Sequence, residues 1–489
     1  MNDSANGRCE PPEDKSIVNL SVKPFLTAVF MLLFLMVLTY VLTFFLPAGE
    51  FQRKISEEGQ VTIINGTYHQ VKGGISFIKW LLSPFLVFGT ADRASIIVIC
   101  LFLLVIGGAI LPLDECGCMR HMLNTIAHRY REKRYTLLAV TSLFFMALGS
   151  LVGSFEDAVP LVPVVVALSY SMGWDALLGL GMSLLPLGFG FSTGICNLYT
   201  VGIAQRLAGL PLFSGISLRV LSFILIYAFL LWLLRSYAKK IDADSRNSLI
   251  RGHVSNKEIY SAADETGNND ILQKSVNRFA GIIGLGLVLI ILSAFIEFLQ
   301  GVITAVMVLV FFTAGATACF TVGMKIKEFA KLLGKGILTM LPGVGVILMA
   351  SSVKYTLMES KTMDTILNFA VELTKGLPSY TVVLIIYALV LFMNFFIASA
   401  SAKAFLLIPL IVPLAQLNGI TSQLSILAFI YGDGFSNVFY PTNPVLIICL
   451  SLLGVNYITW AKWSVKFQLG ILIITCALLA LAKAVGYGI

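Results

Sequence analysis

The chain has 489 residues, of which 57% are hydrophobic and only 12% charged, and its mean hydropathy is +0.89. A soluble domain carries about 25% charged residues, so this composition excludes a soluble globular fold and describes a polytopic membrane protein in a lipid bilayer. The formal net charge of +8 does not point to nucleic acid, because Lys and Arg are spread over short segments between apolar runs and form no basic face.

Residues 1–23 are a polar N-terminal tail, and residues 25–46 are long and apolar enough to span. Residues 47–74 are rich in Val, Thr, Ile and Tyr, with turn-like Glu-Gly and Asn-Gly steps, and predict a small β-hairpin outside the membrane. Asn65-Gly-Thr is a glycosylation sequon there, meaningful only in a secretory-pathway host. Residues 75–88 hold Lys79, Trp80 and Pro84 and read as interfacial. A second span covers 94–111. Residues 117–134 form a basic amphipathic connector whose His121 and His128 read as surface residues. Cys116 and Cys118 make a lone CxC without a second pair, so no metal site is assigned.

Residues 135–152 and 159–172 flank the polar tip Ser154-Phe-Glu-Asp157. The second arm, at 14 residues, would be about 21 Å long, short of a bilayer core of about 30 Å, which predicts a re-entrant helical hairpin. Residues 175–189 and 198–207 are half-spans around Gly190-Phe-Ser-Thr-Gly-Ile-Cys-Asn197, and read as one helix broken at mid-membrane. Residues 216–234 span. Residues 235–278 are a hydrophilic linker dividing a first half (24–234) from a second (279–489), which opens with one extra linking span at 281–298. Spans follow at 302–322 and 336–353, with a basic stretch at 325–335 and a polar amphipathic stretch at 358–375.

The hairpin and broken helix then recur. Arms at 380–397 and 404–417 flank Ala398-Ser-Ala-Ser-Ala-Lys403, and 422–429 and 438–453 flank Gly432-Asp-Gly-Phe-Ser-Asn437. Ala158, Pro163 and Gly173 align with Ala404, Pro409 and Gly419 at one offset, and after a two-residue gap Gly188, Gly190, Phe191 and Ser192 align with Gly432, Gly434, Phe435 and Ser436. With the N-terminus in the cytoplasm, segments 1–24, 113–134, 235–278, 323–335 and 456–466 hold 22 of the 34 basic residues. That threading enters the two hairpins from opposite sides. The expected fold is therefore all-α, with inverted-topology repeats, in the cell membrane (the inner membrane of a Gram-negative host).

Polar breaks inside apolar sequence, one per half, are the best pointer to a transporter's binding site. The first gathers Ser154, Glu156, Asp157, Ser192, Thr193, Asn197 and Thr200, and the second Ser399, Ser401, Lys403, Asp433, Ser436, Asn437, Thr442 and Asn443. Any single Ser or Thr can equally be satisfying backbone, whereas buried charges such as Glu156, Asp157, Lys403 and Asp433 are costly without a role. Lys403 aligns with Asp157, which suggests a pair across a pseudo-two-fold axis. With three carboxylates ionised and Lys403 protonated the tips carry −2, which favours a cationic substrate such as a basic amino acid over a dicarboxylate. No catalytic residue, cofactor or metal ligand is assigned, and Na+ or H+ coupling stays open. A membrane-embedded hydrolase using the acid pair and a channel are the competing classes. No GxxxxGK[ST] motif supports ATP coupling.

Pro47-Ala-Gly-Glu-Phe51, Gly66-Thr-Tyr-His69, Glu156-Asp157, TVGIAQRLAGLPLFSG at 200–215 and GDGFSNVFYPTN at 432–443 together resemble the YfcC-type branch of the C4-dicarboxylate anaerobic carrier family, within the ion transporter superfamily. The resemblance implies two re-entrant hairpins, two broken helices, homodimers, elevator-type movement, and secondary transport of basic amino acids or dicarboxylates. The chain departs from that branch at Asn197-Leu-Tyr, where Asn-Pro-Phe is usual, and at Lys403, where a polar residue is usual.

Overall fold

In a bilayer every backbone N–H and C=O must be satisfied within its own segment, so long apolar runs become helices. The computed structural model describes residues 22–55, 61–64, 66–90, 93–119, 121–122, 125, 131–153, 155, 159, 161–250, 269–293, 296–374 and 376–488. Among them, eight helices are long and apolar enough to cross a membrane. The protein is a multi-pass, helical membrane protein.

The order begins with α1 (Val22–Phe45) and then the strands β1 (Gly49–Glu50), β2 (Arg53–Ile55), β3 (Val61–Ile63) and β4 (His69–Gln70). β1 pairs with β4 and β2 with β3, both antiparallel, which is the expected β-hairpin. It is tied to the helical body by Asp364, which accepts from the Phe51 N–H at 2.9 Å and from Arg53 Nη2 at 2.7 and 2.8 Å. Asn65 lies outside the described residues, as does His128. Short helices α2 (Phe77–Leu81) and α3 (Ser83–Leu86) follow, too short to span, with Trp80 stacked on Tyr40 and Phe77, Ile78 and Phe85 exposed.

Next come α4 (Arg93–Glu115), α5 (Arg134–Leu151), α6 (Leu161–Ser171), α7 (Ala176–Met182), α8 (Leu184–Thr193), α9 (Ile203–Leu207) and α10 (Ile216–Ala243). The second half holds α11 (Asn269–Ser293), α12 (Glu297–Thr321), α13 (Ile326–Glu359), α14 (Met363–Glu372), α15 (Ser379–Phe396), α16 (Ala400–Leu417), α17 (Ser422–Asp433), α18 (Pro444–Leu452) and α19 (Tyr457–Ala484). At α13 the basic stretch 325–335 and the expected span 336–353 run together as one 34-residue helix. Lys is a good helix former and its apolar stem can lie along the helix while the ammonium reaches water, so charge alone did not mark a break.

The duplicated register survives in three dimensions. The Trp174 N–H donates to Ser169 O at 3.0 Å, and the Ile420 N–H to Ala415 O at 2.9 Å, the same bond 246 residues on. Gly173 (φ +84°) and Gly419 (φ +65°) make the left-handed turn that this bond closes, a conformation glycine adopts without steric cost. One residue later in each copy a side chain caps the next helix. Asp175 accepts from the Leu178 N–H at 2.8 Å, and Thr421 from the Leu424 N–H at 3.2 Å.

Packing sorts the helices into two groups. In one, α4 is packed by α12 and α13, α11 lies on α12, and α1 lies on α13. In the other, α5 packs on α8 and α15 on α17, while α6 covers α7 and α16 covers α17. Each half thus sets its hairpin arms against its own broken helix. The segments Ala176–Thr193 and Ser422–Asp433 are buried on every side, as an apolar helix at the centre of a bundle must be.

Candidate functional site

The two broken helices end where polar sequence begins. In the first half α8 stops at Gly194, in the left-handed conformation (φ +47°, ψ +54°), and the chain restarts as a π-turn over Leu198–Gly202 leading into α9. Asn197 caps the restart, its Oδ1 accepting from the Thr200 N–H at 3.1 Å. In the second half α17 stops at Asp433, a 3-10 turn covers Phe435–Val438, and Asn443 caps α18 by accepting from the Val445 and Leu446 N–H groups at 3.0 and 3.4 Å. Pro444 stands at the first helical position there, where its missing N–H costs nothing. Leu198 holds the matching place in the first half, and a π-turn takes the place of a clean helix start. Asn caps both second half-helices.

The breaks touch each other. A Cβ on Gly434 would lie 2.2 Å from the Ser192 backbone N and Oγ, and one on Gly188 would lie 2.6 Å from Val438 Cγ1. The residues next to the breaks on the arms are close as well. Gly153, in the left-handed region (φ +78°), lies so close to Asn197 that a Cβ would sit 2.0 Å from its Oδ1. On the other side Lys403, in the first turn of α16, forms an ion pair with Asp433, and both side chains are fully buried.

Around that pair is a continuous polar network. Lys403 Nζ also donates to Asn394 Oδ1. Asn394 Nδ2 donates to Ser436 Oγ at 2.6 Å and to Asn437 Oδ1 at 3.1 Å. Asn437 Nδ2 donates to Asp433 O at 3.0 Å, and Asn443 Nδ2 to Asn437 Oδ1 at 3.1 Å. Thr442 Oγ1 donates to Phe395 O, closing the network onto α15. Asp433 Oδ2, Ser192 Oγ and Thr200 Oγ1 are buried without a hydrogen-bond partner among the described residues. Such groups cost about 1–3 kcal/mol each and are expected where a ligand completes the site. Lys354 of α13 lies within electrostatic reach of Lys403.

Of the residues expected from sequence, the structure brings Lys403, Asp433, Ser436, Asn437 and Asn443 into one network, bonds Thr442 to the adjoining arm at Phe395 O and sets Ser192 against Gly434, while Asn197 caps the other break beside Gly153. Ser154, Glu156 and Asp157 lie outside the described residues. The expected pairing of Lys403 with Asp157 falls outside the described residues; among them Lys403 pairs with Asp433 in its own half. Thr193 is occupied structurally, with Ser150 Oγ at 2.8 Å and Gly190 O at 2.7 Å. Ser399 is exposed and caps α16 through the Ala402 N–H at 3.4 Å, so the sequence Ala400-Ser-Ala-Lys403 is a helical first turn rather than a loop. Ala is the best helix former and Ser a good N-cap, which explains the longer helix.

Two residues are additions to the expected set. Asn394 organises the second site, and Ser150 ties the end of α5 to the first break, its Oγ accepting from the Ile195 N–H at 3.1 Å. Each is a single polar residue near the end of an apolar first arm, and that position common to the two halves is the signal that could have found them.

Two broken helices that meet beside a buried polar network in a multi-pass membrane protein are the arrangement of a transporter's binding site. The chain belongs to the C4-dicarboxylate anaerobic carrier family (DcuC), whose model matches residues 26–484. It is 26% identical over 411 residues to the Escherichia coli (strain K12) protein named "Putative basic amino acid antiporter YfcC", covering 80% of this chain and 78% of that one. It is 24% identical over 440 residues to an uncharacterized protein of Haemophilus influenzae (strain ATCC 51907 / DSM 11121 / KW20 / Rd), covering 87% and 82%. Among solved structures, the Alcanivorax borkumensis YdaH transporter aligns at 17% identity and TM-score 0.41 over 95% of this chain and 99% of that one. Neisseria gonorrhoeae MtrF, of a class of antimetabolite efflux pumps, aligns at 16% and 0.41 over 95% of each. At that score neither aligns the site residue by residue.

Proposed function

We propose that this transporter is a secondary carrier that exchanges basic amino acids, of the arginine or ornithine kind, at the junction of the two breaks and two hairpin tips. The observation that carries the reading is the neutralised Lys403–Asp433 pair. From the sequence the first tip adds the acid pair Glu156-Asp157, which lies outside the described residues, so the charges of the two tips sum to −2. Unlike charges about 4 Å apart gain about 4 kcal/mol at an effective dielectric of 20, which favours a cation there over a dicarboxylate. The substrate's α-carboxylate then has the half-helix N-termini capped by Asn197 and Asn443 to face. The name of the Escherichia coli relative supports the same substrate class.

In this reading the two packing groups divide the work. The group of α1, α4 and α11–α13 is the fixed scaffold in the cell membrane, and the hairpins with the broken helices move against it as an elevator. Counterflow tests it. Proteoliposomes loaded with unlabelled arginine should accumulate labelled arginine or ornithine, and Glu156→Gln should abolish this without loss of folded protein. Succinate uptake that arginine does not inhibit would show a dicarboxylate carrier instead.

A further inference from the structure

Lys403 Nζ sits where a carboxylate oxygen of Asp433 and the amide oxygen of Asn394 converge, with no exposure to solvent. Ser436 Oγ and Asn437 Oδ1 stand one hydrogen bond further on, both held by Asn394 Nδ2, and Asp433 Oδ2 has no donor among the described residues. Hard oxygen donors with one negative charge, drawn from a hairpin arm and a helix break, are the chemistry of a small monovalent cation site. Here the cation is covalently attached.

Two observations argue that this charge is not present for local stability. Lys403 lies in the first turn of α16, where the helix dipole opposes a cation. At the equivalent position in the repeat the first half carries Asp157, so a base is not demanded by the duplicated hairpin.

We propose that Lys403 is a tethered cation filling a site that would otherwise take Na+, and that it makes this carrier independent of Na+. Only the uptake arm of the test rests on the substrate assigned above. The main readout is the thermal unfolding of the purified full-length protein in NaCl against choline chloride at equal ionic strength.

The wild type should unfold at the same temperature in both salts. Lys403→Ala should unfold earlier in choline and be raised by NaCl, saturably, by about 3 °C or more. Lys403→Ala combined with Asp433→Asn should lose that response, because the carboxylate ligand is gone. A wild-type Tm raised by Na+ would overturn the proposal. So would a Lys403→Ala protein that responds no more than the double variant, or one that does not fold even in NaCl, since Na+ is expected to take the vacated place. In the uptake arm, wild-type counterflow should be equal in the two salts, and a requirement for Na+ would also overturn the proposal. If the Tm pattern holds while arginine and ornithine are not transported in either salt, the tethered cation stands and the substrate assignment fails.

Discussion

Asp433→Asn should destabilise the protein by about 3–5 kcal/mol in a Na+-free buffer, because it leaves the Lys403 ammonium buried and uncompensated. Removing both charges is different. Replacing a buried ion pair by neutral groups of similar volume is often neutral, or stabilising by about 1–4 kcal/mol. The double variant Lys403→Met with Asp433→Asn should therefore recover most of the lost stability while transport stays lost. Thermal unfolding of the single and double variants in detergent separates these outcomes. A double variant as unstable as Asp433→Asn alone would show that Asp433 matters for its bonds to the network and not for the pair.

Gly434→Ala should also abolish transport, for a steric reason. Its φ of −96° suits any residue, so backbone strain plays no part. The added Cβ would meet the Ser192 backbone N and Oγ at 2.2 Å and force the two breaks apart. Overpacking of this kind costs about 1–3 kcal/mol, and more when the obstacle is backbone. Ser192→Gly should not rescue it, because the clash with the backbone N remains. Gly345→Ala is the control. Gly345 lies inside α13 with nothing within 4 Å of its Cβ position, so the change should be neutral or stabilise by up to about 1 kcal/mol through helix propensity. Wild-type transport by Gly434→Ala would show that close contact between the breaks is not needed.

The helical spans were legible because their signal is long and local. Residues 135–152 were expected as an arm and Arg134–Leu151 is a helix. The repeat was legible through glycine, since Gly173 and Gly419 adopt a turn that other residues resist. The breaks were legible because Asp433, Asn437 and Asn443 interrupt apolar sequence at a cost that demands partners. Partnership itself was not legible. That Lys403 turns to Asp433 and Asn394 depends on how α15, α16 and α17 pack, and no spacing along the chain encodes it. Asn394 is one polar residue in an apolar arm, which leaves the helical pattern intact.

The central claim is that two similar halves enter the membrane from opposite sides and bring their breaks together at one site. Cysteine accessibility at the far ends of the second arms tests it most directly. In a functional background without native cysteines, Ser171→Cys at the end of α6 and Leu417→Cys at the end of α16 occupy corresponding places in the two halves. An impermeant thiol reagent added to intact cells should label Leu417→Cys and leave Ser171→Cys unmodified until the cytoplasmic face is opened. Labelling of both positions from one side would contradict the inverted arrangement.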